Sequence, residues 1–394
     1  MPWRVTDVLN ERMRFVIRLE SGERMTDLCQ EFGISRKTGY KFWNRYKRGG
    51  PEALGDFSRA PSRHPNQTSD EIRELVLLAR RAHPTWGPKK LRVILQEAHP
   101  GLLIPAASTI GQLLTQEGLS VGRRRRRRAM PTPLDKLTRP EAANEVWCAD
   151  FKGQFKTGDG KYCYPLTVTD EYSRYLLACE GQENTRTEGA YATFSEAFEA
   201  YGLPRVIRTD NGSPFASSGL AGLSRLSVWW RRLGIKVERI APGHPEQNGR
   251  HERMHLTLKV DTIRPAGANM LQQQERFDLF RKCFNEERPH EALGMKRPAD
   301  FYTKSTLEYP DMLEEPHYPL HDMVRAIHES GHVYISPGCN VYISKSLAKE
   351  QVGLRELEEG RWLVTFLDLD LGIADERHQS LEPIQLTARA AAAS

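Results

Sequence analysis

Val146-Trp-Cys-Ala-Asp150-Phe-Lys152 is a β-rich run with one acid near its end. Tyr162-Cys-Tyr-Pro-Leu-Thr-Val-Thr-Asp170 and Tyr175-Leu-Leu-Ala-Cys-Glu-Gly181 follow, with turn residues between them. Three such runs predict an antiparallel meander. Thr187 to Tyr201 reads as an amphipathic helix closed by Gly202-Leu-Pro, and Arg205-Val-Ile-Arg-Thr-Asp210 as a fourth strand. Leu220 to Leu233 reads as a helix ended by Gly234, and Ile235 to Ile240 as a fifth strand; further helices are expected at about 249–262 and 270–286. A meander, then β-α-β, then helices makes residues 141–305 an α/β core within a multidomain α+β chain.

Outside that core the pattern changes. Residues 1–60 read as short helices. Val8 to Leu19 has apolar residues at helical spacing, a short helix ends at Gly33, Ser35 caps the next, and a basic aromatic helix follows. This is a helix-turn-helix layout that would point Arg36, Lys37, Lys41 and Arg45 at DNA, with Trp43 in the core; a plain three-helix bundle is the alternative. Residues 51–68 lack periodicity and read as a linker. Residues 69–120 form a second helical, DNA-binding unit, with Ser69 opening one helix and a recognition-type helix capped near Ser108. Residues 121–140 are an Arg-rich linker. Its consecutive Arg123, Arg124, Arg125, Arg126, Arg127 and Arg128 repel one another unless phosphates neutralise them, and a localisation tract is the other reading. Residues 318–384 carry short β runs between glycine turns and predict a small β-barrel.

Composition narrows the classes. The chain has 394 residues, 39% hydrophobic and 27% charged, as in a globular protein. No apolar run approaches the ~20 residues of a membrane helix, and residues 1–30 hold no signal-peptide core. The expectation is a protein with no membrane partner that is not exported. Six cysteines without a Cys-x-x-Cys pair exclude a disulfide framework and an ordinary zinc finger. Of 57 basic and 51 acidic residues, positions 1–130 hold 25 and 13, leaving 32 and 38 behind, so the front is +12 and the rear −6. A basic front end suits a polyanion.

Asp150 and Asp210 each end a predicted core strand, which places them at one rim of a twisted sheet. A third acid from the helix after the fifth strand would complete a set of carboxylates. Such a hard-oxygen site suits Mg²⁺ or Mn²⁺, and two ions per site can serve both oxygens of an in-line phosphoryl displacement. Either aspartate alone is equally well a turn former. Two acids compete for the third place. Glu246 lies in Pro242-Gly-His-Pro-Glu-Gln-Asn-Gly249, a stretch of breakers that predicts a loop, whereas Glu252 falls in the first turn of a helix starting near Gly249. Glu252 is the choice. His255, Leu256 and Lys259 would share its face, putting Lys259 where it can hold a DNA phosphate, and Lys152 would face the same side of the sheet as Asp150.

Trp147-Cys-Ala-Asp150, Thr209-Asp210-Asn-Gly-Ser-Pro-Phe215 and Pro245-Glu-Gln-Asn-Gly249-Arg-His-Glu252-Arg-Met-His are similar to the three motifs of integrase-core (DDE) transposases. The likeness is greatest to bacterial insertion-sequence transposases with a retroviral-integrase-like core. Asn285-Glu-Glu-Arg-Pro-His-Glu-Ala-Leu-Gly-Met-Lys-Arg-Pro-Ala299 resembles the segment that follows that core. The resemblance covers about 140–305. It implies a ribonuclease H-like fold, catalysis by Asp150, Asp210 and Glu252 with metal ions, cutting of 3′ ends of a mobile element, and transfer of the new hydroxyls into target DNA by two or more chains. The third acid of that family follows a glycine by three positions, as Glu252 follows Gly249. The 41 residues between Asp210 and Glu252 exceed the 35 that would lead to Glu246, the count many integrases show; added residues around 217–227 account for the difference. A DNA-binding regulator without catalysis, and an RNA–DNA hybrid hydrolase on the same core, are the competing functions.

Overall fold

The computed structural model describes residues 7–56, 68–120, 137–241 and 244–384. Two compact units divide at Thr68/Ser69. In the first, the Asp7 side chain accepts from Leu9 N to cap α1 (Val8–Glu20), and α2 (Met25–Glu31) and α3 (Arg36–Gly49) follow. The turn between α2 and α3 carries Gly33 at φ 63°, and Ser35 caps α3 by accepting from Thr38 N. A side chain at Gly39 would come within 2.7 Å of Cys29 Sγ and Met25 Sδ, so only glycine lets α3 cross α2 this closely. Phe15, Val16, Leu28 and Leu54 fill the small core, with Trp43 packed partly buried against it. The linker expected from residue 51 starts later: Pro51–Leu54 is a 3₁₀ turn that buries Leu54 completely.

In the second unit, Ser69 caps α4 (Asp70–Ala82), followed by α5 (Pro88–Ala98) and α6 (Ala107–Gln116). The cap expected near Ser108 is absent, because the N-cap position falls two residues earlier, at Ala106, with no side-chain cap. Val76, Trp86, Leu91, Ile110 and Leu114 close this three-helix core. Lys89 Nζ lies 2.8 Å from Glu291, and Arg297 is paired with Glu97, so α5 is fastened at both ends to the segment that follows the sheet.

The central sheet holds β1 (Val146–Phe151), β2 (Phe155–Lys156), β3 (Tyr162–Asp170), β4 (Leu176–Gln182), β5 (Val206–Thr209) and β6 (Lys236–Arg239). The meander is present, with β3 antiparallel to both β1 and β4; β1–β5 and β5–β6 are parallel. Short β2, which carries no alternating pattern in the sequence, adds to β3. The helix α7 (Thr187–Tyr201) makes the crossover to β5. The helix expected over 220–233 is shorter: Ser224 starts α8 (Arg225–Arg232) through a reciprocal bond with Ser227, and Leu220–Gly222 is a separate 3₁₀ turn. Trp147, Phe194, Phe198, Phe215 and Trp230 form the main core. α9 (Gly249–Thr262) and α10 (Met270–Lys282) follow, and α10 runs on into a wider π turn over Cys283–Glu287.

The C-terminal strands β7 (Met323–Ala326), β8 (His332–Ser336), β9 (Cys339–Tyr342), β10 (Gln351–Glu358), β11 (Arg361–Phe366), β12 (Leu369–Asp375) and β13 (Ser380–Pro383) do not close a barrel. The ladder is an open sheet, β13-β12-β11-β10-β7, and β8 and β9 form a separate hairpin. The apolar interior between them is completed by Leu223 and Val228 of the central domain, so helix packing stands where strand pairing was expected.

One side chain ties the core's beginning to its end. Asn144, at φ 65°, accepts from Trp147 Nε1 (3.0 Å) and Tyr302 Oη (2.9 Å) and donates to the Thr303 carbonyl (2.7 Å), while its backbone N–H donates to buried Asp170. Asn144→Ala loses three side-chain bonds and a residue suited to left-handed backbone, which should cost about 2–4 kcal/mol. Differential scanning calorimetry should register this as a lowered melting midpoint of the core; an unchanged midpoint contradicts the role given to Asn144.

Candidate active site

The ends of β1 and β5 build the site. Because the two strands are parallel with Ala149 opposite Thr209, the next residues, Asp150 near the end of β1 and Asp210 just beyond β5, stand side by side at the rim of the sheet. The chain turns sharply after Asp210. Gly212 N donates to Asp210 Oδ1 at 3.0 Å, and a side chain at Gly212 would stand 3.1 Å from the other carboxylate oxygen. Asn211 Nδ2 donates to the Ile240 carbonyl at 2.8 Å, fixing this turn to the end of β6. Glu252 lies exposed in the first turn of α9, where the unpaired N–H groups of the helix favour a carboxylate. The stretch before it, expected as loop, winds into a 3₁₀ turn over Pro245–Asn248, and α9 starts at Gly249 as the sequence indicates.

Electrostatics join the three acids. Burial pushes the Asp150 carboxyl up to about 7, and the negative charges of Asp210 and then Glu252 push in the same direction; a backbone hydrogen bond and the Lys152 ammonium oppose them. Among the described residues, however, no group of three or more His, Cys, Asp and Glu stands close enough to enclose a metal ion. The carboxylates feel one another without forming a closed cage. Their chemistry nonetheless fits a divalent cation: the donors are hard oxygens, and the like charge that disfavours ionised Asp150 is what a bound cation would neutralise.

Behind Asp150 lies a feature that the sequence pattern does not reveal. His251 and His255, one turn apart on α9, are buried rather than solvent-facing, and both reach Thr167 of β3. Burial pushes His251 down to about 3 and His255 lower still, so both rings are neutral. Helical spacing alone puts His255 on the face of Glu252, but it turns inward while Glu252 stays exposed. The available signal was the i, i+4 spacing of two histidines beside a strand carrying threonines at alternate positions.

The other expected residues fall in separate places. Arg36, Lys37 and Lys41 are exposed on α3 of the first unit, whereas Arg45 is half-buried with its guanidinium donating to the Gly55 carbonyl at 3.3 Å. Lys259 is exposed on α9. Arg123 to Arg128 lie outside the described residues. Thr138, inside the stretch read as linker, is fastened to the sheet through Glu238, itself 3.2 Å from buried Arg208. No described helix is long and apolar enough to cross a membrane.

Residues 140–245 and 233–298 match the integrase core domain, residues 11–62 a helix-turn-helix domain, and residues 38–114 a homeodomain-like domain. The 31.7 kDa protein of insertion element IS407 from Burkholderia multivorans is 28% identical over 209 residues, 52% of this chain and 73% of that protein. The 39.2 kDa protein of insertion element IS476 from Xanthomonas euvesicatoria is 24% identical over 254 residues, covering 63% and 70%. Among solved structures, the HTLV-2 integrase catalytic core domain in complex with magnesium is 15% identical with a TM-score of 0.32, covering 42% of this chain and all of that one.

The raised carboxyl of Asp150 has a consequence for stability. An unfolded aspartate releases its proton near pH 3.9, but this one holds it to about 7. The folded state therefore binds the extra proton across that window, and stability falls as pH rises through it. Asp150→Asn cannot ionise and escapes the loss. In metal-free buffer the variant should melt above the wild type at pH 8 and level with it at pH 4, while added Mn²⁺ should raise the wild-type midpoint more than the variant's. A gap that is the same at both pH values contradicts this electrostatic account.

Proposed function

We propose that this chain, which resembles insertion-sequence DDE transposases through an integrase core domain and helix-turn-helix units, binds the ends of a mobile DNA element, cuts their 3′ ends and joins them to target DNA. The observation that carries the reading is the adjacency of Asp150 and Asp210 at the ends of two neighbouring parallel strands, with Glu252 entering their field from the first turn of a helix. Three carboxylates at a sheet rim suit phosphoryl transfer, which asks a protein for positioning and charge neutralisation more than for covalent chemistry.

Asp150, Asp210 and Glu252 would hold two Mg²⁺ or Mn²⁺ ions. When bound, such ions lower the pKa of an attacking water or hydroxyl and stabilise the leaving 3′ oxygen. The chain's own residues set the geometry. The Gly212 N–H holds one oxygen of Asp210. The sheet fixes Asp150, and the first turn of α9 carries Glu252. Exposed Lys259 on the same helix is suited to a DNA phosphate, as Lys152 is near Asp150. Arg36, Lys37, Lys41 and Arg45 on α3 supply a basic helix for the first DNA-binding domain (1–60); residues 69–120 form the second, the Arg-rich linker (121–140) neutralises backbone phosphates, and the C-terminal sheets (318–384) flank the catalytic core (141–305). Two ends must be held together in one event, so a homodimer or larger assembly on DNA is part of the reading, as is a bacterial, nucleoid-associated setting.

With Mg²⁺ and a duplex ending in the element's own terminus, the protein should nick and then join 3′ ends. Asp150→Asn, Asp210→Asn and Glu252→Gln should each lower joining at least ~100-fold while DNA binding persists, since an amide is a poor ligand for these ions. Glu246→Gln should keep most of the activity. Undiminished joining by Asp150→Asn or Asp210→Asn sinks the assignment, and loss with Glu246→Gln instead of Glu252→Gln moves the third ligand to Glu246.

The linker can be tested separately. Replacing Arg123–Arg128 by alanine should weaken binding to all DNA sequences alike and reduce the slope of log affinity against log salt by up to about 5, since each phosphate that is no longer neutralised removes ~0.9. An altered sequence preference with an unchanged slope contradicts this role.

A further inference from the structure

The β2–β3 ribbon continues past the rim of the sheet on which Asp150 sits. Phe151 of β1 pairs with Leu166, yet Phe155 of β2 pairs with Cys163. Four steps along one strand face three along the other. One extra residue is therefore inserted near Gly153, which bends the chain at φ 83°. Side chains alternate across a strand, so the insertion reverses the side that each later residue faces. Without it, Gln154 and Lys156 would share the side of Asp150. With it, Lys156 stands opposite Tyr162, on the other side of the sheet.

The contacts agree with that reversal. Lys156 Nζ lies 5.0 Å from the centre of the Tyr162 ring, Tyr164 Oη is 2.6 Å from Gln154 Oε1, and the two tyrosine rings are 6.4 Å apart. Phe155 and Cys163, on the reverse side, pack with Phe277 of α10. At the tip, Gly158 N donates to the Gly267 carbonyl (2.9 Å) and Asp159 N to the Ala268 carbonyl (2.8 Å). The ribbon is thus held from behind and at its tip, and its front is open. Lys156 and Lys161 are exposed, and Tyr162 is 46% exposed. Neither lysine has an ion pair among the described residues. Asp159, the one acid between Gln154 and Tyr164, is engaged by the Thr157 hydroxyl (2.5 Å) and the Lys161 N–H (3.3 Å).

Sidedness selects the occupant. Helices α4–α6 are fastened to Glu291 and Arg297 and pack against Cys283, just after α10. Helices α9 and α10 cover the sheet on the side of Cys163. Under the proposed function, an element end held by α4–α6 reaches the rim from that side, whereas the open face of the ribbon looks to the other. Tyr164 and Tyr162 lie three and five residues beyond Thr167, the partner of Asp150, or about 10 and 17 Å along the strand. At ~3.4 Å per nucleotide this spans about three to five steps of a duplex. Lysine, glutamine and tyrosine donate to phosphate oxygens, contacts that position a duplex without reading its sequence.

We propose that Gln154, Lys156, Tyr162 and Tyr164 on the open face of the β2–β3 ribbon bind the backbone of the target duplex, on the side of the sheet away from the end-binding helices. The proposal rests on the transposase reading and deepens it by giving the second DNA its own surface.

Lys156→Glu reverses the charge at an exposed position, and Lys156→Arg keeps it. With Mg²⁺, full-length Lys156→Glu should join pre-cut ends to target DNA about tenfold more slowly, with nicking of an uncut end within about twofold of wild type. Lys156→Arg should join near the wild-type rate. Full-length Tyr162→benzoylphenylalanine, irradiated without metal beside one labelled duplex ending in the element terminus and one lacking it, should cross-link to the second. Unchanged joining in Lys156→Glu, or an equal loss of nicking and joining, overturns the proposal. So does a cross-link only to the terminus duplex, only to another copy of the chain, or to nothing. Cross-linking needs no catalysis, so cross-links to the second duplex together with undiminished joining by Asp150→Asn would mean that the transposase reading failed and the DNA-binding face did not.

Discussion

Parallel pairing of β1 with β5, in the register that sets Ala149 opposite Thr209, is the constraint from which the site follows. Side chains alternate across a sheet, so a slip of one residue would send one aspartate to the opposite face. The register is held from both sides. Val146 and Ile207 are buried, β6 continues the parallel pairing beyond β5, and β3 locks β1 from its other edge with Asp150 opposite Thr167. That last pairing also brings Thr167 under Asp150 and so beneath the histidines of α9. A single ladder therefore positions two carboxylates and the contact surface for the helix that brings the third.

Placing like charges beside one another at the edge of a low-dielectric core is costly, as the raised carboxyl of Asp150 registers. The surrounding packing offsets that cost. Trp230 and Phe215 stack with centroids 6.2 Å apart, and Phe215 follows the Asp210 turn by only five residues, so the aromatic core supports the loop that carries the acid. α8 has two partners: Leu226, Trp229 and Trp230 face the catalytic sheet, whereas Val228 fills the interior of the C-terminal strands. Arg231 and Arg232 continue the junction through Asp368 and Glu350. The C-terminal sheets thus share a wall with the catalytic domain.

Much of this was legible in the chain. The periodicity of Thr187–Tyr201 gives α7 to the residue, and the breakers before Gly249 mark the start of α9. Asp150 and Asp210 were visible because turn formation accounts for one acid at the end of a β-rich run but not for a matched set of them. What was not legible depends on partners distant in sequence. In Gln351–Glu358 the residues Arg355, Glu356 and Glu358 interrupt the alternation, yet neighbours on both sides make it a strand. Barrel closure was misjudged because Val228, over 90 residues upstream of β7, supplies the cover. The spacing of His251 and His255 shows that they share a helix face but not that this face turns inward; the threonines of β3 decide it.

The attachment of α5 at both its ends has a geometric consequence. Lys89 and Glu97, eight residues apart, each pair with the segment that leaves the catalytic domain, at Glu291 and Arg297, and Cys283 packs partly buried against the three-helix core. Helices α4–α6 and the carboxylates belong to one compact unit. Under the proposed function, bases read by α6 would lie at a set number of ångströms from the phosphodiester bond at the sheet rim. The protein would then act as a caliper, with the spacing between recognition sequence and cleavage point written in folded matter rather than in the length of a tether.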